Sequence, residues 1–286
     1  MGKSITLKDY LNNKALRLLA YILIVQCAFW IGSCQQSDPP VGVYELIWND
    51  EFSGNDIDAQ NWEIQIGDGS DYGIWRWGNN ESQYYRAENI SVEDGKLSIK
   101  AIKEDHAGYA YTSGRLRTLD RKDFKYGKIE ARIKMSNAEG LWHAFWLLPS
   151  NPDQSWPISG EIDIMEYVGN APEEIINTVH YADQNNNHRY TGHTYEYPND
   201  DAFHLYTLEW SPTQISWFFD SEETFVLYKS DIAIEDKWPF DDPFHILLNT
   251  AVGGNLGGSI DAEQLNSAQY MEVEYVRVYE QNFNNN

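Results

Sequence analysis

Short segments in which apolar and polar residues alternate run along most of this 286-residue chain, separated by turn residues. In Lys128–Met135, every second residue is apolar and the residues between them are charged. This period of two is typical of a half-buried β-strand. The same pattern occurs in Lys96–Ile102, His204–Trp210 and Met271–Tyr279. Helical periodicity is weak, and Ala262–Ala268 is at most a short helix. The alternation therefore predicts an all-β sandwich or barrel.

The segments from Tyr44 to Gln281 contain no repeat and no linker rich in serine or proline. We therefore expect one antiparallel β domain at 44–281, followed by a frayed tail at 282–286. Within it, Gln214–Phe219 and Thr224–Tyr228 flank four turn residues and are predicted to form a hairpin.

The N-terminal segment has the layout of a secretory signal. Basic residues precede an apolar run at Leu18–Val25, which is too short to span a membrane. The stretch from Ile31 to Cys34 resembles the cleavage box of bacterial lipoproteins. We expect a signal peptide at 1–33, a lipidated Cys34 and a tether at 34–43, with the protein in the bacterial envelope, on the outer membrane, attached only through lipid. An uncleaved anchor with an incidental Cys34 remains the alternative.

The charge balance restricts the ligands that this chain can bind. Acidic residues outnumber basic ones by 44 to 21, which gives a net charge of −23. A surface this acidic repels phosphate backbones, so nucleic acid is excluded as a partner. The same repulsion disfavours anionic polysaccharides and favours neutral ligands.

Three carboxylates lie within one apolar segment, Gly160–Gly169. Glu161 and Asp163 are two residues apart and point to the same face of a regular strand. Strict alternation puts Glu166 on the other face. One extra residue in a β-bulge near Ile164-Met165 would return Glu166 to the acidic face, and bulges are frequent beside active sites.

Two glutamates on one face suit glycoside hydrolysis, which needs one carboxylate to attack or activate water and one protonated acid to donate to the leaving oxygen. Crowding of the acids raises at least one pKa and keeps that donor protonated. The alternative is a solvated strand face, or acids paired with Arg132 and Arg189. The spacing alone does not decide between them.

The acidic segment carries the Glu-x-Asp-x-x-Glu signature of glycoside hydrolase family 16, and the chain resembles its laminarinase branch. Further matches follow in the family's order over essentially all of 44–281. They are Trp48–Phe52, Asn79–Tyr85, Tyr111–Leu116, Gly140–Trp146, Thr178–Tyr181, Leu247–Asn255 and Tyr275–Tyr279.

The resemblance implies a β-jelly-roll sandwich of two curved antiparallel sheets, like concanavalin A, with a catalytic cleft on the concave face. It implies a retaining mechanism that needs no cofactor. Glu161 would be the nucleophile, Glu166 the acid/base, and Asp163 the residue that tunes the nucleophile. These roles require Glu161 to be ionised at rest and Glu166 to be protonated.

Tryptophans are the expected sugar-stacking residues, because indole packs on the apolar faces of sugar rings. Trp142 and Trp146 are four residues apart on a predicted strand and can face the same side. The resemblance puts Trp142 in the cleft, whereas Trp146 could equally be a core residue. Trp75 and Trp77, in a glycine-rich stretch, are further candidates.

The resemblance also implies polar contacts to substrate from three residues. Asn80 would hydrogen-bond sugar, and Arg115 would donate to a sugar hydroxyl or to the nucleophile. His180 matches a histidine near the family's acid/base. The ordinary alternatives are a turn residue, an ion-pair residue and a hydrogen-bonded histidine.

Family members often bind a structural Ca²⁺, and Glu51, Gly95 and Glu274 match its ligand positions. Oxygen ligands suit Ca²⁺, but Glu274 replaces the usual, shorter aspartate, so the site could be altered or empty. Two other departures are His143 in place of proline and Leu256 in place of a tryptophan, which removes one stacking group.

His188 and His193 lie in and beside an asparagine-rich stretch without further obvious ligands, and are expected in an exposed loop rather than a zinc site. The favoured function is endo-hydrolysis of internal β-1,3 bonds in laminarin-like β-glucans by a monomer. Mixed-linkage β-1,3/1,4-glucan is the nearest rival substrate, ahead of agar- or carrageenan-type galactans. Two further functions are compatible with the sequence, namely a surface glycan-binding lipoprotein that performs no hydrolysis and a transglycosylase.

Overall fold

The computed structural model describes residues 43–233 and 235–282. The predicted signal peptide at 1–33, the lipidated Cys34, nearly all of the tether and the last four residues lie outside this part. The described strands, in chain order, are β1 Val43–Asp50, β2 Glu63–Ile64, β3 Gln83–Tyr85, β4 Ile90–Glu93, β5 Lys96–His106, β6 Tyr109–Ser113, β7 Arg115–Arg117, β8 Gly127–Met135, β9 Leu141–Pro149, β10 Glu161–Val168, β11 Glu174–Ala182, β12 His188–Glu196, β13 His204–Trp210, β14 Gln214–Phe219, β15 Glu222–Tyr228, β16 Phe244–Val252 and β17 Gln269–Asn282.

The strands form two sheets. A seven-stranded sheet has the order β12-β11-β10-β9-β16-β7-β2. A ten-stranded sheet has the order β15-β14-β13-β8-β17-β5-β6-β3, with β1 paired to β17 and β4 paired to β5. Neighbours are antiparallel except β3 and β6, which pair in parallel. The predicted all-β jelly-roll of two sheets is confirmed.

The core lies between the two sheets. It is built from the inward-facing residues of strands in which apolar and polar residues alternate. Phe145, Leu147 and Ile162 from the seven-stranded sheet pack in one cluster with Ile129 and Val278 from the ten-stranded sheet. Each of these side chains is buried. Because alternation sends the core residues inward, it sends the residues between them to the outer faces.

The predicted strands are confirmed, with ends that differ by a few residues. His204–Trp210 is unchanged, whereas Met271–Tyr279 extends to Gln269–Asn282, so β17 includes one residue of the expected tail. The predicted hairpin is also confirmed, but its loop has two residues rather than four because β15 begins at Glu222.

Helices in the described part are single turns. They are the 3₁₀ turns Ser70–Tyr72, Trp75–Gly78, Ala87–Asn89, Lys229–Asp231 and Gln264–Asn266, and the α-helical turn Gly254–Gly257. The weak helical periodicity of the sequence agrees with this. None of the helices within 43–233 and 235–282 has the length and hydropathy needed to cross a bilayer.

Candidate active site

A β-bulge in β10 places all three acids of the Glu-x-Asp-x-x-Glu segment on one face. On the side of β11, Asp163 pairs with Thr178 and Glu166 with Ile176, so the register shifts between them. On the side of β9, the shift falls between Asp163 and Met165. The predicted bulge is therefore confirmed, and Glu166 shares the outer face of the seven-stranded sheet with Glu161.

The bulge is held by side chains that replace the lost ladder hydrogen bonds. The amide of Asn177 on β11 donates to the carbonyl of Ile164 at 2.8 Å. The indole of Trp217, a core residue of the other sheet, donates to the carbonyl of Asp163 at 2.9 Å. Backbone carbonyls at a bulge need such partners when they are buried, so the bulge is a specified feature of this fold.

Gly160 fixes the entry of the chain into β10. Its φ of +85° is a left-handed conformation, and a Cβ there would lie 2.5 Å from Cγ of Pro239. Glycine therefore allows the close approach that delivers Glu161 to the start of the strand.

The three acids share a desolvated environment, which raises every one of their pKa values. Burial, with the neighbouring Asp163 charge adding to it, raises the pKa of Glu161 to about 8. Burial also raises the pKa of Asp163 to about 8. For Glu166, burial and then the charges of Asp163 and Glu161 raise the pKa well above its usual range.

This electrostatic arrangement agrees with a protonated Glu166 but differs from the expectation that Glu161 is ionised at rest. The reason is that desolvation and the neighbouring charge of Asp163 both oppose the ionisation of Glu161. The charge of His180 and the indole N–H of Trp156 act in the opposite direction and lower the pKa of Glu161. These two groups therefore favour the ionised form of Glu161, which is the form that can act as a nucleophile.

His180 was expected near the acid/base, Glu166. In the structure it lies beside Asp163. It pairs across the strands with Glu161, and its Nε2 is 3.2 Å from Oδ2 of Asp163. That oxygen is buried and has no hydrogen bond of suitable geometry within the described residues. Donor atoms of Glu161, Asp163 and His180 lie within 4.8 Å of one another, the one cluster in the described part with metal-ligand spacing.

The acids are not neutralised by arginine. Arg132 binds Glu274, and Arg189 binds Asp183. Within the described residues, no lysine or arginine forms an ion pair with Glu161, Asp163 or Glu166. The alternative in which Arg132 and Arg189 pair with these acids is therefore wrong.

Trp142 and Trp146 lie on the same side of β9, as the spacing predicted, and this is the side of the acids. The indole of Trp142 donates to Oε1 of Glu166 at 3.1 Å. Trp146 is the cross-strand partner of Asp163 and donates to Oδ1 of Asn249 at 2.8 Å. Both rings are half-buried, so each presents part of an indole surface beside the acids.

Arg115, the expected substrate contact, is packed against two tryptophan rings. Its side chain is 5% exposed, and its Nε donates to Oε1 of Gln65 at 2.6 Å. Its guanidinium lies 4.7 Å from the ring centroid of Trp77 and 4.9 Å from that of Trp146. The described contacts therefore make Arg115 a support for Trp146.

Asn80 and the glycine-rich stretch lie on loops. Asn80 is exposed and donates to Oδ1 of Asn255 at 2.8 Å. Trp77 is buried and donates to the carbonyl of Gly67, so its predicted role in stacking is wrong. Trp75 is 64% exposed, so its role in sugar stacking stays a prediction.

The two histidines that were expected in a loop lie in a strand instead. Both His188 and His193 lie in strand β12, so the predicted loop is wrong, although both are exposed. His188 does not pair with His193. Its Nε2 lies 2.8 Å from Nδ1 of His180.

The expected calcium ligands do not fit a cation site. Both carboxylate oxygens of Glu51 bind Arg277, at 2.8 and 2.9 Å. The carboxylate of Glu274 binds Arg132. Gly95 lies in the turn between β4 and β5. Since each acid is already matched by a guanidinium, neither offers the free charge that a hard cation requires.

Several contributing residues were not found by sequence reasoning. Asn177 and Trp217 hold the bulge, Asn249 holds Trp146, and Trp156 contacts Glu161. A usable signal was present in one case, because Asn177 is an amide that directly follows two isoleucines in a predicted strand. Trp217 carries no such signal, since a core tryptophan needs no special explanation.

Comparison with known proteins agrees with this geometry. Residues 76–277 match the family described as Glycosyl hydrolases family 16. The chain is 34% identical over 266 residues to a glucan endo-1,3-beta-glucosidase A1 of Niallia circulans, covering 86% of this chain but 39% of that protein. It is 35% identical over 283 residues to a beta-glucanase of Rhodothermus marinus, covering 93% and 96% of the two chains.

Among solved structures, the laminarinase catalytic domain of Thermotoga maritima superposes with a TM-score of 0.76 at 38% identity. The match covers 83% of this chain and 98% of that one. The fold, the bulged acidic strand and these similarities lead to the same assignment. The chain is a glycoside hydrolase that belongs to glycosyl hydrolase family 16.

Proposed function

We propose that the protein is a retaining endo-hydrolase that cleaves internal β-1,3 bonds of laminarin-like β-glucans. The observation that carries this is the bulge between Asp163 and Glu166, because it returns Glu166 to the face of β10 that carries Glu161. The similarity to proteins named as 1,3-beta-glucanases and laminarinases supports the substrate. The net charge of −23 favours a neutral polysaccharide.

The reaction proceeds by double displacement. The Glu161 carboxylate attacks the anomeric carbon while Glu166 gives its proton to the leaving glycosidic oxygen. The bond from carbon to that oxygen breaks, and an ester to Glu161 forms. Glu166 then takes a proton from water, whose oxygen attacks the same carbon and releases Glu161. Asp163 raises the pKa of Glu166 and so favours the proton donor at the start.

The cleft residues orient the chain for this step. Trp142 donates to the carboxyl of Glu166 and presents an indole edge beside it, so it holds the acid and packs on the sugar. Trp146 packs on the neighbouring sugar and is fixed by Asn249 and Arg115. Exposed Asn80 and Trp75 are the loop residues that we propose to contact the glucan.

The test measures released reducing sugar and product size on laminarin, lichenan and agarose. We expect hydrolysis of laminarin into a ladder of oligosaccharides, with slower hydrolysis of lichenan and none of agarose. Release of monosaccharide alone would contradict the endo mode. Faster hydrolysis of lichenan or agarose would contradict the linkage preference.

We also propose that the domain is tethered to the bacterial envelope through a lipid on Cys34, which rests on the sequence of residues 1–43. The test is detergent-phase partitioning of the full chain expressed with its own N-terminus. Wild type is expected in the detergent phase and Cys34→Ala in the aqueous phase. Equal partitioning of the two would contradict lipidation.

A further inference from the structure

A group of aromatic rings continues from the acid cluster to the edge of the seven-stranded sheet. The His180 and His188 rings stack with centroids 5.0 Å apart and planes at 22°. Trp156 lies 4.6 Å from His188, and Tyr190 lies 6.0 Å from His188 and 6.2 Å from His180. We call His188 and Tyr190, with Trp156 against them, the edge platform.

The strand register aligns the platform with the nucleophile. Glu161 on β10 pairs with His180 on β11, and His180 pairs with Tyr190 on β12. These three residues form one row across the sheet. Neighbouring strands lie about 4.8 Å apart, so Tyr190 is about 10 Å from Glu161 across the sheet. A chain held over Glu161 that runs across the strands therefore extends over Tyr190.

The platform is unusually exposed for its composition. Tyr190 is 70% exposed and Trp156 49% exposed. Single exposed aromatics are common, but a group of them marks a binding surface. Burial and the charge of His180 lower the pKa of His188, so this ring is uncharged near neutral pH. The platform is thus a neutral aromatic surface that adjoins a cluster of acids.

We propose that His188 and Tyr190 form a binding subsite for a pyranose ring of the glucan, beyond the sugars at the bond being cleaved. The proposal rests on the proposed function for the identity of the chain. Flat rings exposed on one face match the apolar C–H faces of neutral sugars. The contact between His188 and His180 joins this subsite to the acid cluster. An extended subsite of this kind raises the affinity for long chains and leaves the chemical step unchanged.

The test compares Tyr190→Ala with Tyr190→Phe and with Tyr270→Ala. Tyr270 is a similarly unburied tyrosine, 40% exposed, on β17 in the other sheet. For Tyr190→Ala we expect KM on laminarin to rise about five-fold, with kcat within about two-fold of wild type, since one aromatic stacking contact contributes about 1 kcal/mol. Tyr190→Phe and Tyr270→Ala are expected to keep the wild-type KM.

The length of the substrate supplies a second readout. The rise in KM is expected to shrink on the shortest laminari-oligosaccharide that wild type cleaves, because that chain does not reach β12. A wild-type KM for Tyr190→Ala on laminarin would overturn the subsite. A fall in kcat at unchanged KM would overturn it as well.

The activity of wild type separates a failure of the proposed function from a failure of the subsite. If wild type releases no reducing sugar from laminarin, the assigned substrate is wrong. Retardation of wild type and Tyr190→Ala in native gels containing laminarin, lichenan or agarose then decides the subsite. Weaker retardation of Tyr190→Ala in any gel supports it, and equal migration of the two proteins in all gels overturns it.

Discussion

The two outer faces of this sandwich carry carboxylates in opposite surroundings. On the ten-stranded sheet, Arg277 hydrogen-bonds Glu51 and lowers its pKa. Glu272 there binds Lys96 and Lys134, which lower its pKa despite partial burial. On the seven-stranded sheet, the ion pairs of the described residues give Glu161, Asp163 and Glu166 no basic partner except His180 beside Asp163. The pKa values of these three acids are raised.

The difference separates a face that contributes to stability from a face that performs chemistry. A paired carboxylate stays ionised and is inert, whereas a buried unpaired one keeps a proton that it can donate. Buried charge without a partner is costly. The fold therefore retains Glu161, Asp163 and Glu166 at the expense of stability, which is a common feature of active sites.

The largest expected effect comes from removing the acids of the seven-stranded sheet. Glu161→Gln and Glu166→Gln are each expected to lower kcat on laminarin by about 10³-fold or more, because each removes a group that acts in the transition state. Glu272→Gln on the other sheet is the matched control and is expected to keep kcat. An active Glu161→Gln, or an inactive Glu272→Gln, would break the comparison.

The next effect is on stability. An acid whose pKa is raised in the folded state makes stability fall as pH rises from its unfolded pKa through its folded pKa. Glu166→Gln removes this penalty and is expected to raise the free energy of unfolding at pH 8. The gain is expected to shrink toward pH 4. Denaturant unfolding at both pH values measures it.

Glu51→Gln is the stability counterpart on the ten-stranded sheet. The lowered pKa of Glu51 means that its contribution is present above its unfolded pKa and lost as pH falls through its folded pKa. The pair with Arg277 is partly exposed, so its loss is expected to cost less than about 1 kcal/mol. A destabilising Glu166→Gln at pH 8 together with a stabilising Glu51→Gln would reverse the comparison.

A smaller effect is expected from Asp163→Asn, which keeps the shape of the acid cluster and removes one charge. Asp163 raises the pKa of both Glu161 and Glu166. Without it both pKa values fall, so both limbs of the pH profile of kcat/KM are expected to move to lower pH, by about one unit. A profile that stays in place would show that Asp163 does not tune the pair.

The smallest effect is expected from removing calcium. Because Glu51 and Glu274 are each held by an arginine, EDTA is expected to shift Tm by less than about 1 °C, and added Ca²⁺ is expected to have no larger effect. A ligand that bound the folded state would raise Tm by mass action. A Ca²⁺-dependent rise in Tm would show that the arginines leave the acids.

Much of the fold could be predicted because period two is a local property of the sequence. The alternation in Lys128–Met135 predicts a strand and the face that points inward. The structure has β8 at Gly127–Met135. The bulge was predictable as well, since Asp163 and Glu166 are three positions apart and cannot share a face of a strand without one. The short loop after Phe219 was not predicted, because Asp220 and Ser221 adopt left-handed φ values of +47° and +74° that composition alone does not specify.

The site was less predictable where roles depend on packing from distant segments. The expected contact of Arg115 with substrate stays a prediction, but its packing against Trp77, Trp146 and Gln65 was not predicted. His188 looked like a loop residue, yet it stacks on His180 eight positions earlier in the chain. Such contacts are set by strand order and register, which a single sequence does not state.

The central claim is that Glu161 and Glu166 act on opposite sides of one glycosidic bond in two displacements. Proton NMR of the first sugars released from laminarin by wild type, recorded before mutarotation, tests it directly. We predict that the new reducing ends appear first as the β-anomer and convert slowly to the α-anomer. Initial appearance of the α-anomer would mean a single displacement and would contradict the account.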